Sequence, residues 1–179
     1  MSQKVLLNAK EVNIILHRLA CQLIEKHNDF SNTVLIGLQP RGVFLADRIA
    51  KILKDDYKVE NVHLGYLDIT FFRDDFRRGE KPLSANSTKI DFLVEDKNIV
   101  FIDDVLYTGR SIRAALTAIQ SFGRPNEIEL LTLIDRRFSR HLPIQPDYRG
   151  RQVDVINNEK VKVHWKENEN EDAVYLIEK

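Results

Sequence analysis

The sequence predicts one α/β domain, with a mostly parallel sheet that carries helices on both faces and with a C-terminal β-hairpin. Three short runs, at 33–38, 99–102 and 128–134, are mostly apolar rather than alternating, which is typical of strands buried on both faces. Each of the first two runs is followed by a turn and then by apolar residues at helical spacing. Such strand–turn–helix units build parallel sheets, which bind ligands at the carboxyl ends of their strands.

The composition is that of an ordinary globular protein, and it sets limits on the partners. The 179 residues are enough for a single domain, 1–179, with its own core. Lysine plus arginine equals aspartate plus glutamate at 27 each, so any nucleic-acid site must be a local basic patch. The single cysteine, Cys21, excludes an internal disulfide. Because no signal peptide or membrane-spanning run is visible either, we expect a cytoplasmic protein.

The first predicted element is an amphipathic helix over residues 8–27. Asn8 and Glu11 have the spacing of a capping box, in which each side chain bonds the backbone N–H of the other residue. The apolar stripe of this helix consists of Val12, Ile15, Leu16, Leu19, Leu23 and Ile24. This helical period predicts a structural element that packs against the core.

The first strand–turn–helix unit joins the run at 33–38 to a helix that starts near residue 43. The intervening turn is Gln39-Pro40-Arg41-Gly42. At the carboxyl end of a strand, Arg41 can contact an anion, and Gly42 allows a close approach of the backbone. Taken alone, the turn is more typical of an ordinary βα loop.

Residues 62–91 combine a strand pattern with a long polar stretch. The alternation of apolar residues changes phase near Gly65, which predicts a strand through Phe71 with a bulge at that glycine. The stretch 76–91 has no hydrophobic period. Long loops of this kind are either functional lids or solvated chain, and both interpretations stay open at this point.

The stretch 98–111 carries the clearest chemistry. After the apolar strand 99–102 come Asp103 and Asp104, and then a turn that leads into a helix ending near Gly123. A helix N-terminus offers unpaired backbone N–H groups to a phosphate, while adjacent carboxylates can accept sugar hydroxyls or hold hydrated Mg²⁺. Together these features predict a ribose 5-phosphate site. The alternative is a βα turn whose acidic pair only caps the helix.

The last third of the chain contains one more buried strand and a hairpin. The run 128–134 ends in Asp135 and Arg136, and an arginine-rich loop follows as far as residue 151. Two alternating runs, 161–165 and 174–177, flank a charged turn and predict the C-terminal β-hairpin. Histidine and cysteine do not cluster with the spacing of a metal site.

These motifs resemble those of a known family. The run F-I-D-D-V-L-Y-T-G-R-S at 101–111 resembles the phosphoribosyl-pyrophosphate (PRPP) motif of type I phosphoribosyltransferases. More narrowly, it resembles the PyrR family of pyrimidine operon attenuators and uracil phosphoribosyltransferases. Three other stretches are similar to family patterns: 37–42 to the pyrophosphate loop G-x-x-x-R-G, 68–75 to D-I-T-x-x-R-D-D, and 142–148 to L-P-I-R-A-D-Y.

The resemblance implies a type I phosphoribosyltransferase fold with a flexible lid at about 72–91 and a hood over the base at about 135–156. It implies that uracil and PRPP react to give UMP and pyrophosphate. Mg²⁺ would be carried by PRPP near Asp103 and Asp104 rather than bound directly by the protein. Purine enzymes of this class usually have Asp where this chain has Tyr107, so Tyr107 favours a pyrimidine. The family also implies a homodimer or a larger homo-oligomer.

The resemblance assigns the candidate site residues to five groups. The catalytic group is Asp103, Asp104, Arg41 and Arg73. The 5-phosphate group is Val105, Leu106, Tyr107, Thr108, Gly109, Arg110 and Ser111. The pyrophosphate loop is Gln39, Pro40, Arg41 and Gly42, and the base hood contributes Asp135 and Arg136. The candidate contacts to a leader mRNA are Arg137, Arg140, His141 and Arg151.

The hood departs from the family pattern. Where the family usually reads D-R-G-H-R-E-L-P, residues 135–143 read D-R-R-F-S-R-H-L-P, which is one residue longer. Pro40 and the segment 153–156 also differ from the pattern. These differences leave the sugar–phosphate residues intact but leave recognition of the base open. Two alternatives therefore remain: an RNA-binding regulator with little catalysis, and a phosphoribosyltransferase for orotate or a purine.

Overall fold

A computed structural model of the protein describes residues 3–74, 85–155 and 159–178. The strands, in chain order, are β1 (Gln3–Leu7), β2 (Thr33–Leu38), β3 (His63–Leu67), β4 (Asn98–Leu106), β5 (Glu127–Arg137), β6 (Tyr148–Asp154), β7 (Glu159–His164) and β8 (Ala173–Glu178). The α-helices are α1 (Ala9–His27), α2 (Gly42–Asp55), α3 (Arg110–Ile119) and α4 (Lys166–Glu169). Short 3₁₀ helices cover Thr70–Phe72 and Gln120–Phe122. Within the described ranges, no helix is long and apolar enough to cross a membrane.

Two sheets make up the fold. Five strands form a parallel sheet in the order β3-β2-β4-β5-β6. The remaining strands form an antiparallel sheet in the order β1-β8-β7. The predicted α/β fold is confirmed, and β7 and β8 form the predicted hairpin. Strand β1, which was not predicted from the sequence, pairs with β8 and completes this C-terminal sheet.

Strand β4 shows how the parallel sheet is buried on both faces. Val100 and Ile102 belong to one core, which α1, α2 and the C-terminal sheet share. Ile99 and Phe101 belong to a second core, which contains the apolar face of α3. All four side chains are fully buried, and burial of each contributes about 1.5–3 kcal/mol. Helices therefore cover both faces of the sheet, as the uninterrupted apolar run predicts.

The N-terminus of α1 has the predicted capping box. The Glu11 N–H donates to Asn8 Oδ1 at 3.0 Å, and the Asn8 N–H donates to Glu11 Oε2 at 2.8 Å. The two bonds satisfy N–H groups that would otherwise have no partner within the helix. They fix the residue at which α1 begins.

We expect Asn8→Ala to lower the free energy of unfolding by about 1 kcal/mol, because the Glu11 N–H loses its acceptor. Urea denaturation followed by circular dichroism measures this difference. Lys10→Ala, at an exposed position in the same turn, is the matched control and should leave stability nearly unchanged. Equal midpoints for the two variants would mean that the box contributes nothing.

The predicted strand through residue 71 is wrong in two respects. Strand β3 ends at Leu67, and Thr70–Phe72 forms a 3₁₀ turn. No bulge occurs at Gly65, since pairing with β2 runs in register along all of β3. Gly65 instead allows close packing against two other residues, because a Cβ there would lie 3.0 Å from both Lys89 O and Phe92 Cζ. The phase change in the sequence reflects this close packing rather than an extra residue in the strand.

Two other strands differ from the expectation. Strand β4 continues to Leu106. Asp103 and Asp104 therefore lie within the strand, near its carboxyl end, rather than after it. The predicted loop 136–151 contains the beginning of β6, which pairs parallel with β5. Strand β6 lies at the edge of the sheet, and among its residues Tyr148 alone is classed as buried. An exposed edge strand has no continuous apolar run, which is why the pattern in the sequence misses it.

The predicted lid and hood are described only in part. Residues 75–84 of the lid, including Arg77, Arg78 and Lys81, lie outside the described residues, as does residue 156 of the hood. On the far side of that gap, Lys89 and Tyr66 exchange two backbone hydrogen bonds of 2.8 Å. The described end of the lid is therefore attached to the edge strand β3.

Candidate active site

The two carboxylates of β4 lie beside the turn that follows β2, because these strands are neighbours in the parallel sheet. Asp104 is buried, with 8% of its surface exposed, and its Oδ2 accepts a hydrogen bond from Arg41 Nε at 3.0 Å. Asp103 is partly exposed, and its Oδ1 accepts the Asp104 N–H at 2.9 Å. A cation therefore orients Asp104, while Asp103 faces a pocket.

Both carboxyl groups lie where a negative charge is costly. Burial and the neighbouring charge of Asp104 raise the pKa of Asp103 well above its ordinary value, and the positive charges of Arg73 and Arg41 oppose this shift. Burial also raises the pKa of Asp104, against the hydrogen bond from Arg41. Hydroxyl donors or a cation stabilise such a pair. In the described part of the chain, no group of three or more Asp, Glu, His or Cys could hold a metal ion.

Gly42 brings the turn after β2 against the strand that carries the acidic pair. A Cβ at this position would lie 2.3 Å from Ile102 O and 3.1 Å from Asp103 Cα. Both contacts are to backbone atoms, which a side-chain movement cannot relieve. Glycine is therefore required at the first residue of α2, and its absent side chain sets the spacing between Arg41 and Asp104.

Arg41 connects the acidic pair to the C-terminal sheet. Besides Asp104, its guanidinium donates to Glu169 Oε1 at 3.2 Å and to the Val163 carbonyl oxygen. The preceding Gln39–Pro40 peptide is cis. Because Nε, Nη1 and Nη2 each have an acceptor within the chain, Arg41 fixes the orientation of Asp104. Its predicted contact with a pyrophosphate stays a prediction.

A pocket of about 260 Å³ lies between the acidic pair and the N-terminus of α3. Its lining consists of Arg73, Asp103, Val105, Leu106, Tyr107, Thr108, Gly109, Arg110, Ser111 and Ile112. Gly109 precedes α3 with a left-handed φ of 91°, and a Cβ there would lie 3.2 Å from Ile144 Cδ1. The glycine thus allows the turn to expose backbone N–H groups at the start of the helix, where a phosphate is favoured. The structure brings one predicted catalytic carboxylate, Arg73 and the predicted 5-phosphate turn to a single pocket.

The hood contacts the same turn through two residues of its loop. Arg140 donates to the Tyr107 carbonyl oxygen and to the carboxylate of Asp135, and the His141 N–H donates to Thr108 O at 3.0 Å. Asp135 is 3% exposed and also accepts from Gln152 Nε2 at 3.2 Å. A larger cavity of about 750 Å³ lies beside Asp135, between the hood loop and β6. The position of the hood therefore depends on residues 107–111, the predicted 5-phosphate turn, which is called the phosphate turn below.

Tyr107 and Arg136 form a stacked pair above β5. The Arg136 Cζ lies 3.9 Å from the centre of the Tyr107 ring, and Arg136 Nη2 donates to Glu159 O at 3.3 Å. Arg136 is 8% exposed, and burial lowers the pKa of its guanidinium. Tyr107 is 47% exposed, and one face of its ring contacts the buried Arg136 guanidinium.

The three arginines among the candidate RNA contacts have acceptors within the chain. Arg137 bonds both oxygens of Asp154 at 2.5 and 2.6 Å, and Arg151 Nη1 donates to Leu6 O at 2.7 Å. Arg140 is engaged by Asp135, as described above, and His141 is exposed. Their assignment to RNA stays a prediction, since these contacts neither require nor exclude a bound nucleic acid.

Three acidic residues in or near the site were not singled out from the sequence. Glu169 accepts from Arg41, but it lies in a charged segment with no distinguishing pattern. Asp74 pairs with Arg110 at the start of α3. Asp68 accepts from the Asn86 N–H at 2.9 Å. The resemblance of 68–75 to a family pattern was the only signal that could have pointed to Asp68 and Asp74.

Comparisons with known proteins agree with this geometry. The family model described as "Phosphoribosyl transferase domain" matches residues 2–168. A curated relative named "Bifunctional protein PyrR" from Picosynechococcus sp. is 44% identical over 172 residues, which are 96% of each chain. A relative of the same name from Clostridium novyi is 42% identical over 180 residues, covering 99% of this chain and 98% of its own.

Solved structures show the same fold at low sequence identity. The hypoxanthine phosphoribosyltransferase of Trypanosoma cruzi superposes with a TM-score of 0.73 at 14% identity, covering 98% of this chain and 96% of that chain. A hypoxanthine phosphoribosyltransferase from Staphylococcus aureus gives a TM-score of 0.70 at 20% identity, covering 98% and 92%. At these identities the similarity concerns the fold alone, and that fold is the predicted type I phosphoribosyltransferase fold.

Proposed function

Because this chain belongs to the phosphoribosyltransferase family and to the PyrR family within it, we propose that it converts uracil and PRPP to UMP and pyrophosphate. The observation that carries the proposal is the single pocket in which Asp103, Arg73 and the turn 107–111 meet. PRPP requires three kinds of group: carboxylates that accept its ribose hydroxyls, backbone N–H groups that bind its 5-phosphate, and an arginine that neutralises the leaving pyrophosphate. The relatives that cover nearly the whole chain are themselves named bifunctional.

In the proposed reaction, N1 of uracil attacks C1 of the ribose while the bond from C1 to the pyrophosphate oxygen breaks. The pyrophosphate leaves with the bonding electrons, and the N1 proton passes to solvent. Asp103 and Asp104 accept hydrogen bonds from the ribose hydroxyls, and residues 108–111 bind the 5-phosphate. Arg73 and Arg41 neutralise the departing pyrophosphate. Mg²⁺ bound with PRPP would add positive charge at the pyrophosphate and ribose oxygens. Positioning and charge stabilisation then supply most of the rate.

The uracil ring would lie near Tyr107, under the hood formed by Asp135, Arg136 and the following loop. Support comes from the stacked pair of Tyr107 and Arg136 and from the contacts of Arg140 and the His141 N–H with the phosphate turn. Residues 1–179 act as one domain in this proposal. A homodimer or larger homo-oligomer is the expected assembly of the family.

A second proposed function is control of pyrimidine genes through leader mRNA, with UMP as the signal. The name PyrR of the relatives and the exposed His141 and Arg151 of the hood region favour it. Binding of such a leader RNA should weaken steeply as salt is added, because phosphate contacts release counterions. Affinity that does not change with salt would argue against this function.

The test of catalysis is pyrophosphate release from PRPP and Mg²⁺ with uracil, orotate, hypoxanthine and adenine in parallel. We expect turnover with uracil and rates lower by about tenfold or more with the other bases, since a site built for one set of base hydrogen bonds rejects the others. Turnover with a different base would keep the reaction and change the substrate. No turnover with any base, while UMP still binds, would favour the regulator with little catalysis.

A further inference from the structure

Asp74 attaches the segment 68–74, which includes the described start of the lid, to the first turn of α3. Its Oδ2 contacts Arg110 Nη1 and lies 3.1 Å from Arg113 Nη2. Arg110 and Arg113 are three residues apart on a helix, so they lie on one face. Although partial burial would raise the pKa of Asp74, the hydrogen bond and charge of Arg110, with the charge of Arg113, hold this pKa below its ordinary value. The carboxylate is thus charged and shared between two arginines.

The residue before Asp74 faces the pocket. Arg73 belongs to the pocket lining, and its charge acts to lower the pKa of Asp103. The backbone of Arg73 is extended, with φ −76° and ψ 141°. In extended chain, consecutive side chains point in opposite directions. When Asp74 is bound to α3, Arg73 is therefore directed at the pocket and Asp103.

The other end of this short segment is also fixed. Asp68 Oδ1 accepts from Thr70 N at 3.0 Å and from Thr70 Oγ1 at 2.6 Å. The 3₁₀ turn Thr70–Phe72 then leads directly to Arg73. Asp68 and Asp74 thus hold the segment at both ends, one through hydrogen bonds within the turn and the other through ion pairs to α3.

We propose that Asp74 is a positioning residue for phosphoribosyl transfer, whose ion pairs with Arg110 and Arg113 hold Arg73 over the pocket. The proposal rests on the proposed function, in which Arg73 contacts the pyrophosphate of PRPP. Asp74 itself touches neither substrate. Charge alone predicts the opposite effect: Asp74 neutralises Arg110 of the phosphate turn, so its removal would tighten binding of PRPP. The two effects have opposite signs.

The experiment compares Asp74→Asn, Asp74→Glu and Arg73→Ala with the double variant Arg73→Ala/Asp74→Asn. We expect Asp74→Asn to reduce kcat/KM for PRPP by about tenfold, since an ion-pair network of this size contributes on that order. KM for uracil should stay within about twofold, and Asp74→Glu should retain most of the activity because it keeps the charge. Asp55→Asn, an exposed carboxylate on α2, is the matched control.

The double variant decides whether Asp74 acts through Arg73. If it does, Asp74→Asn will cause no further loss once Arg73 is alanine. Additive losses, or tighter binding of PRPP by Asp74→Asn, would overturn the proposal. If the wild type releases no pyrophosphate with any base, the proposed function fails instead. The same four-variant cycle measured as PRPP affinity by calorimetry then tests the positioning role separately, with additivity again the contrary result.

Discussion

Replacing both Asp103 and Asp104 with asparagine will reduce pyrophosphate release by about a thousandfold or more, while the protein remains folded. Asparagine has the size of aspartate and can still accept a hydrogen bond through its amide oxygen, but it carries no charge. The proposed reaction develops positive charge on the ribose, which two carboxylates stabilise and two amides do not. Initial rates with uracil, PRPP and Mg²⁺ measure the loss. Retention of more than about a tenth of the activity would contradict the role of the acidic pair.

The single variant Asp103→Asn separates catalysis from stability. The folded protein raises the pKa of Asp103, so between the ordinary aspartate value and this higher value the folded state binds more protons than the unfolded state. The free energy of unfolding then falls as the pH rises through that interval. Above that interval the charged carboxylate is destabilising, and Asp103→Asn should there be as stable as the wild type or more stable. Thermal unfolding at pH 5 and pH 8 checks this, and a strongly destabilised Asp103→Asn would contradict it.

The reaction rate should also depend on the protonation of Asp103. Unlike the stability, it should fall as the pH is lowered. The proposed role needs charged carboxylates, and the raised pKa of Asp103 means that they gain protons at a pH above the ordinary aspartate range. The rate should therefore decline on the acid side before exposed carboxylates are affected. A pH–rate profile of kcat/KM for PRPP, which reports ionisation in the free enzyme, shows this limb, and its persistence in Asp103→Asn would assign it to another group.

Gly42→Ala will have the largest effect on stability of any single methyl addition at the site. The new Cβ would lie 2.3 Å from Ile102 O and 3.1 Å from Asp103 Cα, so α2 or β4 must shift. We expect a loss of about 2–4 kcal/mol in the free energy of unfolding, which is typical of an overpacked position with a backbone clash. Urea denaturation measures the loss.

The same substitution should also impair catalysis, since it changes the distance between Arg41 and Asp104. Lys54→Ala, on the exposed side of the same helix, is the matched control and should change neither stability nor rate appreciably. A Gly42→Ala variant with wild-type stability would show that α2 can move away from β4 without cost. That outcome would remove the reason for a glycine at this position.

Local patterns in the sequence predicted the parts of the site that one segment builds by itself. The run from Ile99 to Ser111 contains its own strand, acidic pair, glycine and helix start, and the structure places Asp103, the glycine and the helix start around a single pocket. The capping box at Asn8 was predictable for the same reason. In each case the interacting groups are a few residues apart, and the spacing alone determines the geometry.

Contacts between distant segments were not predictable. Arg41 meets Glu169 and the Val163 carbonyl only because the C-terminal sheet packs beside α2, and no local pattern encodes that packing. The predicted bulge at Gly65 failed for the same reason, since the glycine accommodates Lys89 and Phe92 from another part of the chain. Such positions require the tertiary structure before their residue types can be understood.

The pairing of β1 with β8 has a consequence for synthesis on the ribosome. Strand β1 and the turn that carries Arg41 leave the ribosome early, but β8 and the acceptors Val163 and Glu169 are made more than a hundred residues later. Long-range pairing of this kind forms slowly, and it cannot begin before both partners exist. A nascent chain that ends before β7 would therefore expose the edge of β1 and leave Arg41 without two of its three acceptors. The acidic pair reaches its final orientation only after the C-terminal sheet has emerged.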